Sequence, residues 1–124
     1  TWKRLSAGLP QKELGRIGLD LYRKNPKVVY ALVESENSGS TQNPTGNGGL
    51  YRSDDAGETW ERMSGTNPRP MYFSQVRIDP NDDQRIWVLG VSMYLSRDGG
   101  RTFRPEDTAQ RVHADGHALW IDPR

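Results

Sequence analysis

The stretch "SDDAGETW", residues 53–60, sets two aspartates, a glycine, a threonine and a tryptophan between two apolar runs. It returns as "SRDGGRTF" at 96–103, where Ser53 falls on Ser96, Asp55 on Asp98, Gly57 on Gly100, Thr59 on Thr102 and Trp60 on Phe103, each 43 residues on. A second marker keeps the same interval: "IDP" at 78–80 recurs at 121–123. Thr1 and Trp2 match Thr59 and Trp60 at a spacing of 58, and Asp20 matches Asp79 at 59. A fixed period of this length marks a repeat architecture. The extra length falls in "ENSGSTQNPTGNGG", residues 36–49, which lacks apolar periodicity and is expected to be a long exposed loop, either solvated or used in binding.

Between the turn signals lie short β-branched and aromatic runs, the pattern of strands. They predict strands over 16–21, 28–33, 49–52 and 59–63, then 73–78, 85–89, 92–95 and 102–104, with a last one over 117–121. Four strands per repeat is the arithmetic of a β-propeller blade. The expected fold class is therefore all-β: a β-propeller fragment with two complete four-stranded antiparallel blades, 16–63 and 73–104, and a partial blade at each end. Residues 1–5 are expected as the outer strand of a preceding blade and 117–124 as the start of the next. A propeller ring takes roughly four to eight blades. Other chains or fragments are therefore expected as partners that complete it, through inter-blade faces that would otherwise be exposed.

Composition agrees with many turns around a small core. Of 124 residues only 33% are hydrophobic, while Gly (13), Pro (8), four Trp and five Tyr supply turns and bulky apolar surface. Seventeen basic and sixteen acidic residues balance to +1 without a block of either sign, which argues against nucleic acid as a partner. No window approaches the ~18 apolar residues of a membrane span, so membrane insertion is not expected. The absence of cysteine excludes disulfides and thiolate metal sites.

The pattern S-x-D-x-G-x-T-[W/F], present twice, resembles the Asp-box (BNR) repeat of sialidases, xyloglucan-cleaving glycosidases and sortilin/Vps10 propellers. The wider text "GRIGLDLYRKNPKVVYALVE", "NPRPMYFSQVRIDPNDD" and "VHADGHALWIDPR" is similar to large bacterial sortilin-like proteins described as BNR-repeat glycosyl hydrolases. This resemblance implies a propeller module of an exported protein, secreted, periplasmic or at the cell surface. It further implies binding of a glycan, peptide or protein partner, or a scaffolding role. The alternative it carries is part of a glycoside hydrolase with its active site at the channel mouth. It also places the Asp-boxes on the blade periphery, away from such a site.

The residue chemistry of the box points to structure as well. Asp55 and Asp98 can accept hydrogen bonds from amides of their own loop, Gly57 and Gly100 tolerate positive φ, and Trp60 and Phe103 can bury a large face between blades. "DPNDD" at 79–83 lacks calcium-loop spacing and reads as a reverse turn. No metal and no cofactor are expected.

A different constellation carries the ligand expectation. In "VHADGHALWIDP" His113, Asp115 and His117 recur at a spacing of two, which in an extended strand puts all three on one side, either as a metal site or acid/base pair or with the histidines in packing and hydrogen-bonding roles. Aligning the segments that enter each innermost strand brings Glu13 and Arg16, then Arg69, Tyr72 and Gln75, then these three to one mouth of the channel. Arg16, Tyr72, Gln75, His113, Asp115 and His117 are the candidate ligand-binding residues, with bridging of adjacent blades as the structural alternative for Arg16 and Gln75. A hydrolase would need a proton donor and a second carboxylate or other nucleophile. Only Glu13 and Asp115 are acids at this mouth, and Arg69 and Tyr72 are single candidates for a sialidase-like set, so no catalytic residue is assigned.

Overall fold

A computed structural model describes residues 1–35, 46–106 and 113–124. Most of the expected loop at 36–49 therefore lies outside the described residues. The described residues form eight strands and no helix. They are β1 (Ile17–Leu21), β2 (Val29–Val33), β3 (Gly49–Ser53), β4 (Glu61–Ser64), β5 (Gln75–Asp79), β6 (Asp82–Leu89), β7 (Tyr94–Ser96) and β8 (Arg104–Pro105). Two four-stranded antiparallel sheets result, in the orders β1-β2-β3-β4 and β5-β6-β7-β8, each a simple meander. The protein is all-β, with one sheet per repeat.

The strand bounds differ from the expected ones where side chains take over backbone bonds. Thr59 and Thr102 do not open strands, because both face the aspartate of their own turn, and β4 and β8 begin two residues later. Phe73 and Ser74 precede β5 because Ser74 holds positive φ and its hydroxyl donates to the Pro70 carbonyl. The expected strands over 1–5 and 117–121 form no ladder with the described residues. An isolated extended segment cannot become a strand without a partner edge.

The ladders also correct one alignment. Val29 pairs with Ser53 and Ile86 with Ser96, so β2 and β6 are related by 57 residues. The left-handed turns agree: Ala56 donates to the Lys27 carbonyl as Gly99 donates to that of Gln84, both at 2.9 Å. On this register the partner of Asp20, opposite Tyr30, is Arg77, opposite Trp87. Asp79 lies beyond a register shift in its ladder, two residues past that position. The shared aspartate misled the alignment by two residues, an even slip that leaves the face of each side chain unchanged.

One face of the first sheet packs on one face of the second. Tyr30, Leu32 and Leu50 meet Val76, Ile78, Ile86 and Val88, with Tyr22, Met63 and Phe103 at the margin. Each fully buried branched side chain of this kind contributes about 1.5–3 kcal/mol, and this layer is the main core. The opposite face of the first sheet buries only Ala31, Val33 and Tyr51, against Leu9 and Trp60. There Leu19 and Leu21, the register equivalents of the buried Val76 and Ile78, are 62% and 49% exposed. An open apolar groove of about 430 Å³ runs over this face, between Leu5, Leu14, Ile17, Leu19 and Trp60.

Polar contacts tie the sheets at both margins. On the inner side the Asp20 carboxylate accepts from the Ile78 amide (2.9 Å), and Arg16 donates to the Tyr72 carbonyl (2.8 Å). Further out, the Arg52 guanidinium donates to Asp83 (2.7 Å), to the buried Tyr30 hydroxyl (2.8 Å) and to Asp54 (2.7 Å). The Tyr30 hydroxyl donates in turn toward the Asp83 and Gly99 carbonyls. One arginine thus joins β3 to the turn that opens β6.

Candidate functional site

The two S-x-D-x-G-x-T turns have the same geometry. Ser53 and Ser96 each donate to the aspartate two residues on (2.7 Å) and accept from the amide of Gly57 or Gly100 (2.8 Å). Asp55 accepts the Thr59 amide (2.8 Å) and hydroxyl (2.6 Å), and Asp98 accepts those of Thr102 (2.9 and 2.6 Å). Gly57 and Gly100 hold φ near +90°, where a side chain would be strained. Trp60 closes the first turn by donating its indole N–H to the Gly57 carbonyl (2.8 Å).

These bonds favour the ionised carboxyl. The Thr59 hydroxyl, the Thr59 amide and the Ser53 hydroxyl hold Asp55 at about 2. For Asp98 burial pushes the other way, but the same donors from Thr102 and Ser96 outweigh it and hold the group at about 2. A depressed folded value means that the stabilisation is complete above about pH 4 and disappears as pH falls toward 2. Asp98→Ala should lower stability by roughly 1–2 kcal/mol, because the lost bonds are partly solvent-screened. It should also flatten the acid limb of a pH–stability curve. A curve that still falls between pH 4 and 2 with undiminished slope would contradict this. Both oxygens of the Asp55 and Asp98 carboxylates are taken up by donors of their own turn, which favours a structural role for these two groups over ligand binding.

The candidate ligand residues are only partly brought together. Tyr72, half exposed, packs edge-on against Phe73 (5.1 Å between ring centres) and His117 (5.4 Å), while His117 stacks on Phe73 at 4.8 Å. Arg69 lies over the Tyr72 ring at 5.0 Å, and Arg16 reaches the Tyr72 carbonyl. Gln75 opens β5 beside this cluster, half-buried. Asp115 departs from the expected one-sided row because its φ is +71°, which breaks the period of two. Its amide and that of Gly116 donate to the Val91 and Gly90 carbonyls, fixing the turn. His113 is exposed, with Nδ1 2.6 Å from the Ala114 carbonyl. Among the described residues no three His, Asp or Glu side chains gather as metal ligands.

A second feature lies along β1 and β5 and uses residues outside the six candidates. A groove of about 420 Å³ runs between β1, β5 and residues 119–123, lined by Asp20, Tyr22, Arg23, Arg77, Asp79 and Trp120 among others. Trp120 is 75% exposed there. Its signal in the sequence is a tryptophan inside the "ALWIDP" segment, whose apolar run reads as a strand. The groove holds none of the six candidate residues.

The class defined by these observations is a repeat-built all-β protein, with one four-stranded antiparallel meander per repeat and a polar, aromatic-bearing groove along β1 and β5. Comparison with protein-family models and with the curated proteins finds no match.

Proposed function

We propose that this chain is part of an Asp-box β-propeller of an exported protein, and that it binds a glycan or peptide along its inner strands without transforming it. The observation that carries the binding reading is this groove, which the exposed Trp120 lines together with Arg23 and Arg77. A flat aromatic face in a groove with hydrogen-bond donors is the arrangement that takes a sugar ring or an extended peptide. The stacking of two repeat-related sheets supports the propeller reading, because blades pack face to face in this way. The Tyr72, Phe73 and His117 cluster with Arg69 and Arg16 would extend the same surface at the mouth.

The groove's own carboxylates do not favour a hydrolase. Asp20 is bonded to the Ile78 amide, and Asp79 accepts from the Asn81 amide and from Arg85. A general acid or nucleophile must be free to exchange a proton or attack.

The test is binding of the chain to a panel of neutral and acidic oligosaccharides and unstructured peptides, with Trp120→Ala and Tyr72→Ala compared with Asp98→Ala. Trp120→Ala is expected to weaken binding at least tenfold at unchanged melting temperature, with a smaller loss for Tyr72→Ala and none for folded Asp98→Ala. Turnover of any panel member, or binding indifferent to Trp120, would defeat the reading.

A further inference from the structure

The open face of the first sheet has a counterpart inside the molecule whose occupant is visible. Val76, Ile78, Ile86 and Val88 are covered by the Tyr30 and Leu50 face of the neighbouring sheet. Their register equivalents Leu19, Leu21, Val29 and Ala31 line the corresponding face of the first sheet, where the inner half is uncovered. Over the outer half lie Leu5, Leu9 and Trp60.

Residues 1–6, "TWKRLS", repeat "TWERMS" at 59–64, and their contacts repeat too. A Cβ placed on Gly100 would lie 3.6 Å from Met63, in the outer strand of the preceding sheet. A Cβ on Gly57 would lie 3.7 Å from Leu5, which is the residue matching Met63. The ion pair beside each contact also recurs, with its charges exchanged. Glu61 in β4 meets Arg101 in the second Asp-box turn at 3.4 Å. Lys3, the match of Glu61, meets Glu58, the match of Arg101, at 2.6 Å.

We propose that the open face of the first sheet receives a further sheet of this same repeat, with residues 1–6 as its outer strand, and that the reversed charge pair Lys3–Glu58 fixes the stacking order. The proposal rests on the propeller reading above. Both pairs are solvent-exposed, so each adds little to stability; their use is discrimination. A sheet carrying Lys at this position fits the turn bearing Glu58 and meets a like charge at Arg101. A sheet carrying Glu fits Arg101 and is repelled by Glu58. Each turn thus accepts one outer strand and rejects the other, as charge pairs at other repeated interfaces specify partners.

The occupant can be supplied from the chain's own sequence, by placing a copy of residues 16–58 immediately before Thr1 so that residues 1–6 follow it as a fourth strand. In the extended protein the amides of residues 1–6 are expected to become protected from hydrogen exchange. Leu19→Lys, harmless in the 124-residue chain, should lower the melting temperature of the extended one. Lys3→Glu should reduce the new protection, and Lys3→Glu with Glu58→Lys should restore it. If residues 1–6 exchange as fast as before and Leu19→Lys stays harmless, the open face does not take such a sheet, and both this proposal and the propeller reading fall. If the sheet docks but Lys3→Glu is without effect, or the double exchange does not restore protection, the charge key is overturned and the propeller reading stands.

Discussion

Arg52→Met is expected to destabilise the protein by roughly 3 kcal/mol, the lower end of the range for removing one partner of a buried ion pair. The arginine side chain is 14% exposed and Asp83 27%. Removing the guanidinium leaves the Asp83 carboxylate half-desolvated and deprives the buried Tyr30 hydroxyl of its donor. Burial opposes the charge on Arg52, yet the hydrogen bonds to Asp54 and Tyr30, and that to Asp83, more than compensate and raise its pKa further. Burial likewise raises Tyr30, despite the opposing pull of Arg52. Arg52→Lys keeps the charge but not the three-way fork, so an intermediate loss is expected. Asp54→Asn should cost well under 1 kcal/mol, because that carboxylate is 67% exposed. Urea titration of the three variants provides the check. If Arg52→Met cost no more than Asp54→Asn, the inter-sheet role assigned to Arg52 would be wrong.

Arg52 also shows where the sequence stopped being legible. The S-x-D-x-G-x-T turn could be read because its defining bonds are local: Ser53, Asp55, Gly57 and Thr59 lie within one turn, so their spacing encodes the geometry. The strands were legible for the same reason, since apolar runs and turn residues act over a few positions. Arg52 sits one residue before the box and reaches Asp83, 31 positions away. No local pattern announces such a contact.

The candidate site divides along the same line. Arg16 and Tyr72 meet because both flank inner strands that the repeat period had located. The spacing of His113 and Asp115 has meaning only in an extended chain, and the left-handed turn at Asp115 removes that premise. Trp120 and Arg77 come together with Tyr22 through stacking of separate segments, which sequence spacing does not report. The two-residue slip between Asp20 and Asp79 has another cause. The two residues are chemically identical, but one accepts an amide of the next sheet and the other closes a turn.

Gly18→Ala is expected to cost about 3 kcal/mol or more, at or above the upper end of overpacking penalties. A Cβ at this position would lie 2.0 Å from the Ser74 carbonyl oxygen and 3.0 Å from its carbon, so the collision is with backbone. Neither side has room to yield. Gly18 is held in the ladder opposite Leu32, and Ser74 is fully buried in a left-handed conformation, bonded to Pro70 and Asn67. Relief requires the inner strands to part, which would break the Asp20 bond to the Ile78 amide and draw Arg16 off the Tyr72 carbonyl. Gly116→Ala is the matched control: its nearest neighbours are 3.8 and 4.0 Å away and its backbone is unstrained, so a change within about 0.5 kcal/mol is expected. Because Asp20 and Ile78 line the groove along β1 and β5, a Gly18→Ala protein that still folds should also bind ligand more weakly, with Trp120 intact. Equal melting temperatures for the two glycine variants would show that the sheets do not approach as closely as their backbone contact requires. Equal affinities in folded protein would separate the groove from the ligand.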